Sequence, residues 1–331
     1  MFAALFDAQF LGQPAGLWVV FATVIITLLV LDLGVLNKKD HVIEASESLR
    51  LAGIYILIAC LFGCWLWWEL GADDGMDYFT AYLIELSLSV DNLFVISLIF
   101  TYYGVPREYQ HRVLFWGIIG VIVMRGIMIG IGAALVHNFE WVLLIFAGFL
   151  IFTGIKMMLA KDEEEDSIEE SRFIKFIQKH LKVTKFLHGH KFFIREKSID
   201  NPQGGLRATP LFLALVTVEI ADLIFAVDSV PAVLAITTTT FVVYTSNIFA
   251  VVGLRAMYFA IAAIIHRFIY MQYSLAIILV FIGLKAFYSH FSGDKVPAFL
   301  SLGITVGLLA GGILLSMWRT SQDDKNDKIA P

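Results

Sequence analysis

Acidic side chains occur at matched positions inside two long apolar stretches of this sequence. Glu85 and Asp91 lie within YFTAYLIELSLSVDNLFVISLIF, and Glu219, Asp222 and Asp228 lie within VTVEIADLIFAVDSVPAVL. Ionised carboxylates are costly in hydrocarbon, so such residues face the interior of a helix bundle, where they pair, titrate or bind ions. The five acids therefore indicate chemistry inside a membrane.

Basic residues recur in the apolar stretches at matching positions. The motif VIVMRGIMI aligns with VVGLRAMYF and pairs Arg125 with Arg255, and IFTGIKMM aligns with VFIGLKAF and pairs Lys156 with Lys285. We interpret these four residues as charge-balancing. The two guanidiniums neutralise only two of the five carboxylates, and the remaining charge is costly without a cation or protons. The alternative is a purely structural set of ion pairs with the two arginines.

Oxygen atoms dominate the donors near these acids. No histidine lies in the middle of an apolar stretch, and the two cysteines, Cys60 and Cys64, lie in a different one, where we interpret them as packing residues. Oxygen ligands favour hard or borderline cations such as Mn²⁺, Ca²⁺ and Mg²⁺ over Zn²⁺ and Cu²⁺. Besides the five carboxylates, the oxygen donors nearby are Ser89, Asn92, Ser229 and Asn247.

Helical geometry limits which acids share a site. At about 100° per residue, Glu219 and Asp222 lie on one face, whereas Glu219 and Asp228 point to opposite sides of an unbroken helix. Pro231 removes a backbone donor and crowds the preceding turn, so we predict an unwound turn over 227–231 with free backbone oxygens. In an unbroken helix, Glu219 and Asp222 would instead form a separate subsite or an ion relay.

The composition places these residues in a membrane protein. Of the 331 residues, 59% are hydrophobic and 16% are charged, and the mean hydropathy is +0.79. We predict an all-α polytopic fold with about nine transmembrane helices, each near the 20 residues or so that cross a bilayer. The predicted spans are 16–36, 50–70, 79–102, 113–135, 140–160, 208–236, 243–266, 273–290 and 296–318.

The matched motifs predict two three-helix repeats. SVDNLF aligns with AVDSVP, and Lys and Arg concentrate in the odd-numbered connections, which the positive-inside rule assigns to the cytoplasm. The N-terminus is then outside, the C-terminus is inside, and the repeats have inverted topology, which in transporters places substrate near the midplane. The predicted regions are an N-terminal helix pair (1–78), repeat 1 (79–160), a cytoplasmic amphipathic loop (161–207), repeat 2 (208–290), and a last helix with a disordered tail (291–331).

Two polar segments lie outside the spans. From Arg172 to Lys197 the sequence is basic with helical spacing of apolar residues, which predicts an amphipathic helix on the inner leaflet. Asp73, Asp74 and Asp77 precede the third predicted span and are interpreted as an ordinary polar loop at the outer mouth, with ion release as the alternative.

The motifs ELSLSVDN, EIADLIFAVDS and GLRAMYF, in this order and separation, resemble the TerC family of integral membrane proteins, and the span pattern is most similar to its Alx-type members. That family is associated with tellurite resistance and manganese export. The resemblance implies a manganese exporter whose metal ligands correspond to Glu85, Asp91, Asn92, Glu219, Asp222, Asp228 and Ser229. Ser229 stands where the first repeat has Asn92, so the two halves need not contribute equally.

The sequence thus predicts a secondary transporter that exports a divalent cation, with Mn²⁺ as first candidate, by alternating access and with possible proton coupling. No enzyme is expected: the GxGD pattern of intramembrane aspartyl proteases and nucleotide-binding motifs are absent. The alternative is a membrane scaffold for stress-response or secretion proteins. Expected partners are a divalent metal ion and the lipid bilayer of a bacterial cytoplasmic (inner) membrane, with no nucleic acid and no catalytic residue; the oligomeric state stays open.

Overall fold

A computed structural model describes residues 8–32, 44–139, 141–159, 183–184, 186–198, 201–261, 271–292 and 296–327. Within these ranges the chain is almost entirely helical, which confirms the all-α polytopic prediction. Eight of the described helices are long and apolar enough to cross a membrane, and a further apolar helix, the first, has 17 residues. The helices are α1 Ala15–Leu31, α2 Ala45–Leu70, α3 Ala72–Tyr102, α4 Arg107–Asn138, α5 Trp141–Leu159, α6 Pro210–Leu234, α7 Thr240–Ile261, α8 Met271–Ser292 and α9 Ala298–Asp327.

Four short strands complete the described structure as two antiparallel pairs. The first pair, β1 Gln9–Phe10 and β2 Gln13–Pro14, precedes α1. The second pair, β3 Phe193–Ser198 and β4 Asn201–Ala208, leads into α6.

Helix α3 begins earlier than the sequence predicts. It starts at Ala72, directly after Gly71 with φ of 101°, a conformation that favours glycine. Asp73, Asp74 and Asp77 therefore lie in the first turns of the helix, and the prediction of a polar loop there is wrong. Asp73 and Asp74 are in the first turn, where the N-terminal end of the helix carries partial positive charge and stabilises acidic residues.

The predicted unwound turn at Pro231 is also wrong. Helix α6 continues through this residue to Leu234. Pro231 lies in the last turn of the helix, so its missing N–H removes one hydrogen bond close to the end, and its own carbonyl still accepts a bond from Ala235 N at 3.0 Å. Any cation site that includes α6 would therefore lie on a continuous helix rather than at a broken one.

Two further predictions need correction. The amphipathic helix expected over 172–197 does not extend to its C-terminal part, because Phe193–Ser198 pairs with Asn201–Ala208 as a β-hairpin; residues 172–182 and 185 lie outside the described structure. Backbone pairing satisfies every other N–H along this polar segment without requiring an apolar face. The tail expected to be disordered is helical as far as Asp327.

The two predicted repeats, α3 to α5 and α6 to α8, are interleaved, so that each helix of one repeat packs on a helix of the other. Helix α3 packs on α7, α4 packs on α6, and α5 packs on α8. The α5 and α8 contact is close: a Cβ added to Gly154 would lie 2.6 Å from the carbonyl oxygen of Ala276, and one added to Gly283 would lie 2.7 Å from that of Ala147. Going from Ala147 to Gly154 along α5, the contact on α8 moves back from Gly283 to Ala276, so the two helices are antiparallel.

Candidate functional site

Arg125 of α4 lies between acids from both predicted repeats. Its Nε donates to Asp222 Oδ2 at 3.1 Å, its Nη2 donates to Asp222 Oδ1 at 3.3 Å, and its Nη1 donates to Glu85 Oε1. The same Nη1 donates to Asn247 Oδ1 at 2.8 Å. Arg125 is 1% exposed and Glu85 is fully buried. One guanidinium thus holds the two acids that the sequence alignment places at equivalent positions.

Arg255 of α7 holds the remaining described acid. Its Nη2 lies 3.4 Å from Glu219 Oε1, and its Nη1 donates to the carbonyl oxygen of Leu114. Glu219 fits against α4 only because that helix carries glycine at 117 and 120; a Cβ at either position would overlap the Glu219 carboxylate. The second ion pair, Arg255 and Glu219, therefore lies in a notch in α4, the space left by the absent side chains of Gly117 and Gly120.

Several buried polar atoms on the helices that form these ion pairs have no hydrogen-bond partner within the described part of the chain. Three belong to side chains in contact with the arginines, Glu85 Oε2, Glu219 Oε2 and Asn247 Nδ2, and a fourth is Ser229 Oγ on α6. Buried polar atoms are nearly always satisfied by protein, water or a bound ion. We call Glu85, Glu219 and Asp222 the acid layer. The guanidiniums therefore leave part of the acid layer available to another ligand.

A cavity of about 300 Å³ adjoins the Arg125 cluster between the two halves. The exposed side chains of Lys156 and Gln272 lie at its rim, on the ends of α5 and α8 that the basic residues predict to be cytoplasmic. The polar residues that line it are Glu85, Ser89, Asn92, Thr153, Lys156, Ser229 and Gln272. Two of the four unsatisfied atoms, Glu85 Oε2 and Ser229 Oγ, belong to lining residues.

The structure divides the sequence-predicted ligands into two groups. Three of them, Glu85, Asn92 and Ser229, line the cavity together, whereas Glu219 and Asp222 contact the arginines and are not among its lining residues. Asp91 and Asp228 lie on α3 and α6 next to Asn92 and Ser229 in sequence, but their side chains are outside the described structure. Among the described side chains, no three His, Cys, Asp or Glu residues converge as a metal site.

The two lysines lie in different places. Lys156 lines the cavity, whereas Lys285 interacts electrostatically with Asp77, whose carboxylate also accepts a hydrogen bond from Thr237. Nearby, Thr239 Oγ1 donates to Asp74 Oδ1 at 3.0 Å. These contacts tie the start of α3 to the segment between α6 and α7 at the end of the bundle opposite Lys156.

Three features of the site were missed by sequence reasoning. Thr153 and Gln272 were not considered as lining residues, and the notch at Gly117 and Gly120 was not anticipated. Gln272 lies at a helix end, where a polar residue carries no signal. The glycines carry one, because two of them three residues apart mark a face of α4 where another group approaches closely.

The paired acids and arginines of both halves lie within the part of the chain that matches a known family. The family model of the integral membrane protein TerC family matches residues 70–324. The chain belongs to the TerC family. A relative in Rickettsia bellii, described as an uncharacterized membrane protein, is 47% identical over 309 residues, which are 93% of this chain and 99% of the relative.

Other relatives cover the chain equally well. The protein described as "Putative membrane-bound redox modulator Alx" in Escherichia coli strain K12 is 40% identical over 323 residues, 95% of this chain and 98% of that protein. An uncharacterized membrane protein of Myxococcus xanthus is 41% identical over 320 residues, 97% of each chain. No solved structure matches.

Proposed function

We propose that this TerC protein is a secondary transporter that exports a divalent cation, with Mn²⁺ as the first candidate substrate, from the cytoplasm. The observation that carries the proposal is the cavity between the two halves, where the buried oxygens Glu85 Oε2 and Ser229 Oγ have no hydrogen-bond partner among the described side chains and backbone. Unsatisfied oxygens beside an incompletely neutralised acid layer favour a positive ligand.

The lining chemistry suits a hard cation. Glu85 supplies a carboxylate oxygen, and Ser89, Asn92 and Ser229 supply neutral oxygens. Asp91 and Asp228 are proposed as the remaining carboxylates, because the alignment of SVDNLF with AVDSVP makes them the matched acids of the two halves. Oxygen ligands of this kind favour Mn²⁺, Mg²⁺ or Ca²⁺ over softer metals. Lys156 at the rim supplies positive charge while the cavity is empty and is exposed enough to move away when a cation enters.

The arginines have a different role in the proposal. Arg125 and Arg255 hold Asp222 and Glu219, and neither acid lines the cavity, so we assign these two to the interface between the halves rather than to the cation. Glu85 also binds Arg125, but it lines the cavity. This assignment replaces the single site with seven ligands that the sequence suggests. It agrees with the helical geometry, because an unbroken α6 cannot direct both Glu219 and Asp228 at one ion.

The reciprocal packing of α5 and α8 supports an inverted repeat. Gly154 and Gly283 are equivalent in the alignment, and so are Ala147 and Ala276; each glycine approaches the alanine of the other helix. Antiparallel helices related in this way have a two-fold axis across their length. In a membrane that axis lies in the bilayer plane, which is the arrangement of transporters that alternate access between halves.

Uptake of ⁵⁴Mn²⁺ into inverted membrane vesicles tests the proposal, because export from a cell becomes uptake in such vesicles. We expect uptake above that of vesicles without the protein, and loss of it in Asp91→Asn and in Asp228→Asn. Asp74→Asn, at the opposite end of the bundle, serves as the control and should retain uptake. Unchanged uptake in both cavity variants would refute the assignment, and a panel of divalent ions would define selectivity.

The second candidate is a redox function of the thiols, which the description of several relatives as membrane-bound redox modulators suggests. Cys60 is partly buried and Cys64 is exposed, and neither forms a disulfide. The exposure of Cys64 removes the packing role that the sequence suggested for it.

The scaffold alternative would depend on the loop that contains β3 and β4, so replacing that loop should abolish a scaffold function and leave cation flux.

A further inference from the structure

A histidine and an aspartate are in contact at a position apart from the cavity between the two halves. His111 Nε2 lies 3.3 Å from Asp32 Oδ2, and the side chains are 19% and 10% exposed. Asp32 follows α1 directly, and His111 lies in the second turn of α4. Both positions are at the side of the bundle that the basic residues predict to be cytoplasmic, so the pair lies between water and the protein interior.

A small cavity continues inward from this pair. Its volume of about 20 Å³ is enough for one water molecule. The titratable and charged groups that line it are Asp32, Tyr55 and Arg255 together with His111, and the rest of the lining is apolar. Arg255 also contacts Glu219. The cavity therefore connects the histidine to the second ion pair of the acid layer, whereas the 300 Å³ cavity adjoins the first.

We propose that His111 and Asp32 form the cytoplasmic end of a proton path that is separate from the cation cavity and couples inward proton movement to cation export. This inference rests on the proposed function, since it names the coupling ion and its route. It assigns the halves unequal tasks: the Arg125 side adjoins the cation cavity, and the Arg255 side adjoins the proton path.

The chemistry of the pair fits this task. Neutral imidazole accepts a proton from hydronium in the small cavity and becomes imidazolium, leaving water behind. The Asp32 carboxylate stabilises the imidazolium without taking the proton. The imidazolium then gives the proton to cytoplasmic water and returns to the neutral form. Arg255 disfavours a lasting positive charge in the cavity, so a proton that enters is passed on to His111 rather than retained.

The test uses purified full-length protein in proteoliposomes with two readouts. The first readout records net Mn²⁺ flux together with the signal of a pH-sensitive dye and measures how many protons move with the metal. The second is exchange of ⁵⁴Mn²⁺ for Mn²⁺, which needs no net proton movement. In His111→Gln we expect proton flux coupled to Mn²⁺ to fall by about 10²-fold, the usual contribution of a positioned proton-transfer group, with exchange preserved. Asp32→Asn should act in the same direction, and His137→Gln, at the other end of α4, is the matched control.

Preserved exchange in the expected result also shows that the variant is folded. The other outcomes each overturn a stated part of the account. Unchanged coupling in His111→Gln would overturn the proton path and leave the exporter intact. Loss of exchange together with coupling would assign His111 to the cation cycle itself and would equally overturn the inference. Absence of Mn²⁺ flux in the unaltered protein would overturn the proposed function, and the proton path with it.

Discussion

Arg125 and Asp222 meet across the two halves of the protein, with Nε of the first 3.1 Å from Oδ2 of the second. Because the same guanidinium also binds Glu85, the acid layer is held together by a residue that belongs to only one half. Charge neutralisation inside the membrane and contact between the halves are therefore one interaction. A motion that separated the halves would have to break it or carry it along.

Replacing Arg125 tests that role. Arg125→Gln leaves the buried Glu85 and the partly buried Asp222 without their cation, and loss of one partner from a buried pair costs about 3–5 kcal/mol. We expect a clear fall in the melting temperature of the purified protein in detergent. Arg125→Lys should recover only part of it, because an ammonium cannot reproduce the forked contacts of a guanidinium. A melting temperature equal to that of the unaltered protein would contradict the account.

The notch in α4 makes a prediction with a matched control. In Gly120→Ala the added Cβ would overlap the Glu219 carboxylate and should destabilise the protein by about 1–3 kcal/mol. In Gly130→Ala, on the same helix, the Cβ meets nothing within 4 Å and helix propensity favours alanine. Thermal unfolding of both variants is the measurement. Equal stability of the two would show that Glu219 does not occupy the notch.

The proposed two-fold relation predicts equivalent effects at equivalent positions. Gly154→Ala and Gly283→Ala each force a Cβ against the backbone of the opposite helix, so both should slow Mn²⁺ uptake to a similar extent. Gly148→Ala on α5, where the Cβ meets nothing within 4 Å, should leave uptake unchanged. A strong effect in one of the first two variants with none in the other would argue against reciprocal halves.

The two thiols separate the cation and redox candidates. If transport depends on the cavity, Cys60→Ser combined with Cys64→Ser should retain Mn²⁺ uptake in vesicles, because α2 contributes no lining residue to the cavity. Uptake should also be insensitive to a thiol-alkylating reagent in the unaltered protein. Loss of uptake in the double variant would favour the redox candidate.

Repeat spacing in the sequence singled out Glu85, Asp222 and Arg125, because charged residues in apolar stretches are few, and these three side chains are in contact. It did not reveal that Arg125 binds Asp222 from the other half, since the choice of partner depends on how helices cross. The prediction at Pro231 failed because a proline near a helix end costs little, and the number of turns beyond it is set by packing.

The hairpin of β3 and β4 was missed for a related reason. The segment FIREKS mixes apolar and charged residues in a way compatible with both helical and strand periods, and its pairing partner lies in a polar, glycine-containing segment. Short segments of this kind are decided by tertiary contacts rather than by propensity. One such contact is the bond from Thr184 N to the carbonyl oxygen of Ala208 at 2.9 Å.

Binding of Mn²⁺ to the purified protein, followed by the loss of the electron paramagnetic resonance signal of the free ion, tests the central claim most directly. The account predicts saturable binding that weakens by about tenfold or more, or about 1.4 kcal/mol, in both Asn92→Ala and Asp228→Asn and is unchanged in Asp74→Asn. Binding that is absent from the unaltered protein, or equally strong in all three variants, would contradict it.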